Sequence, residues 1–153
     1  MPGPAAAPVP SRDFPAAVTL LPHAPPARFV RQILEVDPYL IQCTAEIPAA
    51  YPLVREGLAP GFVGLEVAAQ AAAVMEALRR HEEGEGGHGP QIGYLVKISD
   101  ARFLSPLPAE RLLNVAARLL GTAPPLSIYE VNVNVGDDER SLGTISTYLV
   151  GAD

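Results

Sequence analysis

The chemistry a chain can do is limited by where its ionisable side chains stand. From Gly61 to Met75 the run GFVGLEVAAQAAAVM has two polar side chains, Glu66 and Gln70. They are four residues apart, one helical turn. An ionised carboxylate in apolar surroundings has to be paired, hydrogen-bonded or neutralised. Carboxylates of this kind are enriched at active sites, which makes Glu66 the first catalytic candidate. The plainer alternative is a glutamate in a solvent-facing slot, its charge offset by the helix N-terminus. Gln70 is expected to be a satisfied amide that orients Glu66. Gly61 and Gly64 flank Phe62 and Val63, and glycines at a helix start let a ligand approach unpaired backbone N–H donors. Donors near Val63 and Gly64 could polarise a carbonyl oxygen. The same glycines also suit an ordinary loop-to-helix junction.

His23 lies in Leu21-Pro22-His23-Ala24-Pro25-Pro26. Prolines on both sides stiffen its backbone, and an imidazole on a rigid turn can act as a general base near neutral pH. A packed or exposed turn histidine fits the same segment. His81 falls at a helix end and His88 in a Gly-rich loop. Three dispersed histidines have no metal-ligand spacing. Cys43, the single cysteine, excludes an intramolecular disulfide and a Cys-based metal cluster. It sits in an expected strand as a small core residue. No phosphate loop, dinucleotide fingerprint or nucleophile elbow is present, so neither a metal nor a cofactor is implied.

The elements that must position these residues follow from periodicity. Phe29–Val36 and Tyr39–Ile47 are expected strands around an Asp37-Pro38 turn. Pro48 to Pro60 is proline-rich loop. Gly61 to Arg80 is the long helix, rich in Ala and Leu, and its closing arginines suit the negative end of the dipole. A helix apolar on nearly all sides is buried. After a Gly-rich loop over 81–90, strands are expected at Ile92–Phe103, Arg111–Leu120, Ser127–Val135 and Ser141–Val150. Tyr129, Val131, Val133 and Val135 alternate with Glu130, Asn132 and Asn134, which is a half-buried strand. Two strands, one buried helix and four strands fit an α+β fold in which an antiparallel sheet wraps a single central helix. The exposed edge strand of such a sheet is commonly covered by pairing in a dimer.

Length and composition set the outer limits. At 153 residues the chain is expected to form one domain, over residues 20–153, behind a loose Pro/Ala-rich tail over 1–19. It has 17 acidic and 11 basic residues, a formal net charge of -6, and Lys97 as its sole lysine. That balance argues against a nucleic-acid footprint and against a polybasic membrane patch. Prolines 2, 4, 8 and 10 interrupt any signal helix, and no run is long and apolar enough to span a bilayer. A soluble, cytoplasmic protein is expected.

Two segments carry a family resemblance. Leu21-Pro22-His23, followed by an apolar run and Val36-Asp37, resembles the opening of the hotdog-fold 3-hydroxyacyl-[acyl-carrier-protein] dehydratases. Val63-Gly64-Leu65-Glu66-Val67-Ala68-Ala69-Gln70-Ala71 resembles that family's central-helix motif. The run Gly57 to Glu66 and the segment Gln91-Ile92-Gly93-Tyr94-Leu95 are most similar to the divergent branch found with aryl-polyene biosynthesis clusters. The resemblance spans about Leu20 to Val150. It implies a hotdog fold and dehydration of 3-hydroxyacyl thioesters on acyl carrier protein to trans-2-enoyl thioesters. It also implies His23 as base, Glu66 as acid, and Val63, Gly64 and Gln70 as oxyanion and substrate-binding residues. No cofactor is implied. The implied partners are acyl carrier protein and a second hotdog subunit, identical or related. Arg28, Arg31, Arg79, Arg80 and Arg102 are candidate contacts for an acidic carrier, and Ala68, Ala69, Ala72 and Ala73 could border an acyl tunnel. The better-known dehydratases carry a histidine in a Gly-His-Phe-Pro-Gly loop, whereas Glu56 to Gly61 here has none. Two further readings follow: a non-catalytic subunit that pairs with an active dehydratase, and a hotdog thioesterase that uses Glu66 alone.

Overall fold

The computed structural model describes residues 16, 21, 24–82 and 93–149. The tail expected over 1–19 (Ala16 apart), His23 and the loop around His88 lie outside them. Strands β1 (Val30–Val36) and β2 (Leu40–Ala45) form an antiparallel hairpin. Asp37 closes it: one carboxylate oxygen accepts from the backbone N–H groups of Tyr39 at 2.7 Å and Leu40 at 2.9 Å, the usual way an aspartate sets a turn. The chain then passes through the two-residue β3 (Leu58–Ala59) into helix α1 (Val63–Glu82). After it come β4 (Gly93–Phe103), β5 (Leu107–Pro108), β6 (Leu113–Ala123), β7 (Leu126–Val135) and β8 (Asp138–Leu149). The six long strands make one antiparallel sheet in the order β1-β2-β6-β7-β8-β4, and β3 pairs with β5.

The sheet curls around α1. Val63, Leu65, Val67, Ala68, Ala71, Ala72, Val74 and Met75 of the helix are buried. Ile33, Ile41, Cys43, Val115, Val131 and Ile145, drawn from five strands, are buried with them in one core cluster. Tyr129, Val131 and Val133 supply the inward face of β7, as the period of two requires. This is the hotdog arrangement, and the strand reading of Arg111–Leu120 holds because β6 is central in the sheet. The buried alanines explain how the sheet can close on the helix: small side chains allow a short helix–sheet distance.

Some features differ from expectation. α1 begins at Val63 because the N–H groups of Val63, Gly64 and Leu65 first close tight turns onto the carbonyls of Pro60, Gly61 and Phe62, each at 3.0 Å. β8 begins at Asp138 because Gly136, at φ +58°, allows a two-residue hairpin in which Val135 faces Asp138. The β3–β5 ladder joins two proline-bearing segments that carry no periodicity. No described helix is long and apolar enough to cross a membrane.

Candidate active site

Because α1 starts at Val63, Glu66 falls in its first turn, where a carboxylate complements the positive end of the helix dipole. Its side chain is exposed, as the solvent-facing alternative has it, and stands on the wall of an open groove of about 490 Å³. Three segments line that groove. The loop before the helix gives Tyr51 and Leu53, the helix start gives Phe62, Leu65 and Glu66, and β4 gives Leu95, Ile98, Ala101 and Phe103. Glu66 is thus a carboxylate in a largely hydrocarbon channel.

The helix start is held by a contact from the sheet. Ser141 of β8, 1% exposed, donates its hydroxyl to the Gly61 carbonyl at 2.7 Å. A Cβ on Gly64 would stand 2.5 Å from the Ser141 Oγ, so this glycine is needed for close packing rather than for ligand approach. The N–H groups of Val63 and Gly64, expected as carbonyl-polarising donors, are taken up by Pro60 and Gly61. The N–H groups of Gly61 and Phe62 make no hydrogen bond to any described residue. Phe62 itself lines the groove. Among the described residues, the donors left without an acceptor at the head of the helix are therefore two residues earlier than the sequence suggested.

Gln70 does not orient Glu66. It is 2% exposed, and its amide is occupied at both ends by the approach to β1. Its Oε1 accepts from the N–H of Phe29 at 2.8 Å and of Val30 at 3.4 Å, and its Nε2 donates to the Ala27 carbonyl at 2.6 Å. Gln70 therefore fixes segment 27–30, which follows the Leu21-Pro22-His23 motif in the chain, against the helix that carries Glu66.

The remaining candidates sit apart from the groove. Burial pushes the Cys43 thiol up from its ordinary 9.0 to about 12, so it is an inert core group. Ala68 and Ala72 are sealed in the core and neither lines the groove, so close packing accounts for both. Arg79 pairs with Glu76 on α1, and Glu76 accepts from the buried Tyr129 hydroxyl at 3.5 Å. Burial, followed by the nearby Glu76 charge, pushes that phenol upward. Arg31 and Arg102 are exposed. Sequence reasoning missed Tyr51 and Ser141. Tyr51 lies in a proline-rich loop with no period, and Ser141 lies 80 residues from its partner Gly61.

The sequence matches the ApeP-like family, described as ApeP dehydratase, over residues 15–151. The chain belongs to the ApeP-like dehydratase family. The family assigns it dehydration, and the family's span includes both the Leu-Pro-His segment and the α1 motif. No curated protein matches it by sequence. Among solved structures it is similar to a chain of the dehydratase heterocomplex ApeI:P from Xenorhabdus doucetiae. The TM-score is 0.79 at 20% identity, covering 90% of this chain and 92% of that one. It is also similar to a hypothetical thioesterase with coenzyme A from Streptococcus pneumoniae, with a TM-score of 0.55 at 13% identity over 79% and 86% of the two chains. A third is the thioesterase PA1618 (Q49A mutant) from Pseudomonas aeruginosa, with a TM-score of 0.55 at 14% identity over 79% and 81%. At these identities the structural likenesses establish the shared hotdog fold.

Proposed function

We propose that the protein removes water from 3-hydroxyacyl thioesters carried on acyl carrier protein, giving trans-2-enoyl thioesters for polyene-type or fatty-acid biosynthesis. The observation that carries this is Glu66, a carboxylate on the wall of an apolar groove near backbone donors that no described residue accepts, in a member of a dehydratase family. His23 takes the proton from C2, next to the thioester carbonyl. The N–H groups of Gly61 and Phe62 hold the carbonyl oxygen as negative charge develops on it. Glu66 gives its proton to the 3-hydroxyl, the C3–O bond breaks, and water leaves as the C2–C3 double bond forms. His23 ends protonated and Glu66 ionised, and exchange with water resets both. The acyl chain lies along the hydrocarbon lining formed by Leu95, Ile98 and Phe103. Arg31 and Arg102 are the carrier-facing cations.

The protein acts as one half of a hotdog dimer, and the second half is a related subunit. Two findings support this. Among the described residues β4 is an edge strand with Tyr94, Val96 and Ile98 exposed, and its Leu95, Ile98, Ala101 and Phe103 line the groove. The structure similar to it over nine-tenths of its length is a heterocomplex. A second reading, a non-catalytic subunit, is favoured by one observation: residues 48–60, ahead of the helix, contain no histidine.

Mass analysis of 3-hydroxyacyl-carrier protein after incubation separates these readings. The purified chain is used alone and co-expressed with a related hotdog subunit. Loss of one water from the carrier-bound acyl group, abolished by His23→Ala, supports the dehydratase. Release of the acid with free carrier thiol means a thioesterase. Dehydration that survives both His23→Ala and Glu66→Gln in the co-expressed pair means a non-catalytic subunit.

A further inference from the structure

The groove holds a second polar side chain. Apart from Glu66, the Tyr51 phenol is the one side-chain hydrogen-bonding group in a lining otherwise made of Leu, Ile, Ala and Phe. Its hydroxyl makes no hydrogen bond to any described residue. A donor left unpaired beside an apolar channel costs stability unless water or a ligand meets it.

Its position is well fixed. The Tyr51 N–H donates to the Pro48 carbonyl and its carbonyl accepts from the Val54 N–H, both at 3.0 Å. Its ring meets Phe29 edge to face, with centroids 5.0 Å apart and planes at 85°, a favoured aromatic geometry. The Phe29 backbone is in turn held by Gln70. Helix α1 therefore places Glu66 directly, and places Tyr51 through Gln70 and Phe29. Two turns of one helix set both polar groups of the groove.

We propose that Tyr51 contacts the substrate: its phenol donates a hydrogen bond to the 3-hydroxyl oxygen that leaves as water. This rests on the dehydratase reading. A hydroxyl oxygen entering an apolar groove can accept from two directions, and Glu66 supplies one. The phenol supplies a fixed donor for the other, and it selects acyl chains that carry the hydroxyl over those that do not. Partial burial, followed by the Glu66 charge, pushes the phenol above its ordinary range, so it carries its proton at neutral pH and acts as a donor.

The test compares Tyr51 with Tyr51→Phe, which keeps the ring against Phe29 and removes only the hydroxyl. Affinities are measured for two pantetheine thioesters of equal chain length, one 3-hydroxyacyl and one saturated. The protein is the full chain with its partner subunit, in a Glu66→Gln background so that nothing turns over. The expected result is a preference for the hydroxylated ligand that falls about fivefold in Tyr51→Phe. With Glu66 intact, kcat is expected to fall at least fivefold in Tyr51→Phe while KM for the hydroxylated substrate changes less. An unchanged preference overturns the proposal. If the Tyr51 enzyme forms no enoyl product with any partner, the dehydratase reading fails, and the binding comparison still decides whether Tyr51 reads the hydroxyl.

Discussion

Glu66 and Cys43 show how differently one fold treats two reactive side chains. Glu66 points into an open groove where a substrate can reach it. Cys43 is sealed between the sheet and α1, and burial holds its thiol near 12. In the unfolded chain the thiol loses its proton near 9, so the folded state binds more protons between the two values. The stability linked to Cys43 is complete below pH 9 and falls as pH rises towards 12. A thiol reagent at pH 8 is expected to label Cys43 only as fast as the protein opens, and a chemical-unfolding series should lose stability across that alkaline window. Rapid labelling of the native protein would contradict the burial. At this scale Glu66 was legible because a single carboxylate breaks an apolar helical run. The partners of Gln70 were not: Phe29 is 41 residues away, and nothing in local spacing joins them. Tyr51 left no signal either, since a proline-rich loop has no period from which its direction could be read.

The start of α1 is where packing and chemistry meet. Gly64 leaves just enough room for Ser141, which in turn holds the Gly61 carbonyl. Gly64→Ala drives a methyl group into the serine side chain and is expected to cost about 1–3 kcal/mol of stability, as overpacking does. It should also lower turnover, because the Gly61 and Phe62 donors shift with the turn that carries them. Adding Ser141→Gly restores the space, and the double variant is expected to regain part of the lost stability, read from denaturant midpoints. Equal stability of wild type and Gly64→Ala would show that the contact is not tight. The long elements were readable because their periods are clear, two in β7 and an unbroken apolar run in α1. The β3–β5 ladder was not, because it depends on a tertiary contact across some fifty residues, and the true first residue of the helix was not, because the tight turns that set it carry no period.

At the scale of the whole molecule, the described residues form a sheet wrapped on a helix, with β1 and β4 as its edge strands. The β4 side carries the exposed Phe103 and, with the exposed Phe62 of the segment before the helix, lines the groove. A subunit seated there would cover apolar surface and close the groove against water, which strengthens the interactions that elimination needs. The order of elements was enough to anticipate the wrap, but the partner is beyond what one sequence specifies. The central claim is that Glu66 protonates the hydroxyl that leaves. The most direct test is the single-turnover rate of enoyl formation on carrier protein, for the wild-type assembly and for Glu66→Gln at matched folding. The account predicts a loss of at least a hundredfold in Glu66→Gln, in the range of a removed general acid, with binding of the 3-hydroxyacyl carrier retained. Enoyl formation at the wild-type rate in Glu66→Gln would contradict it.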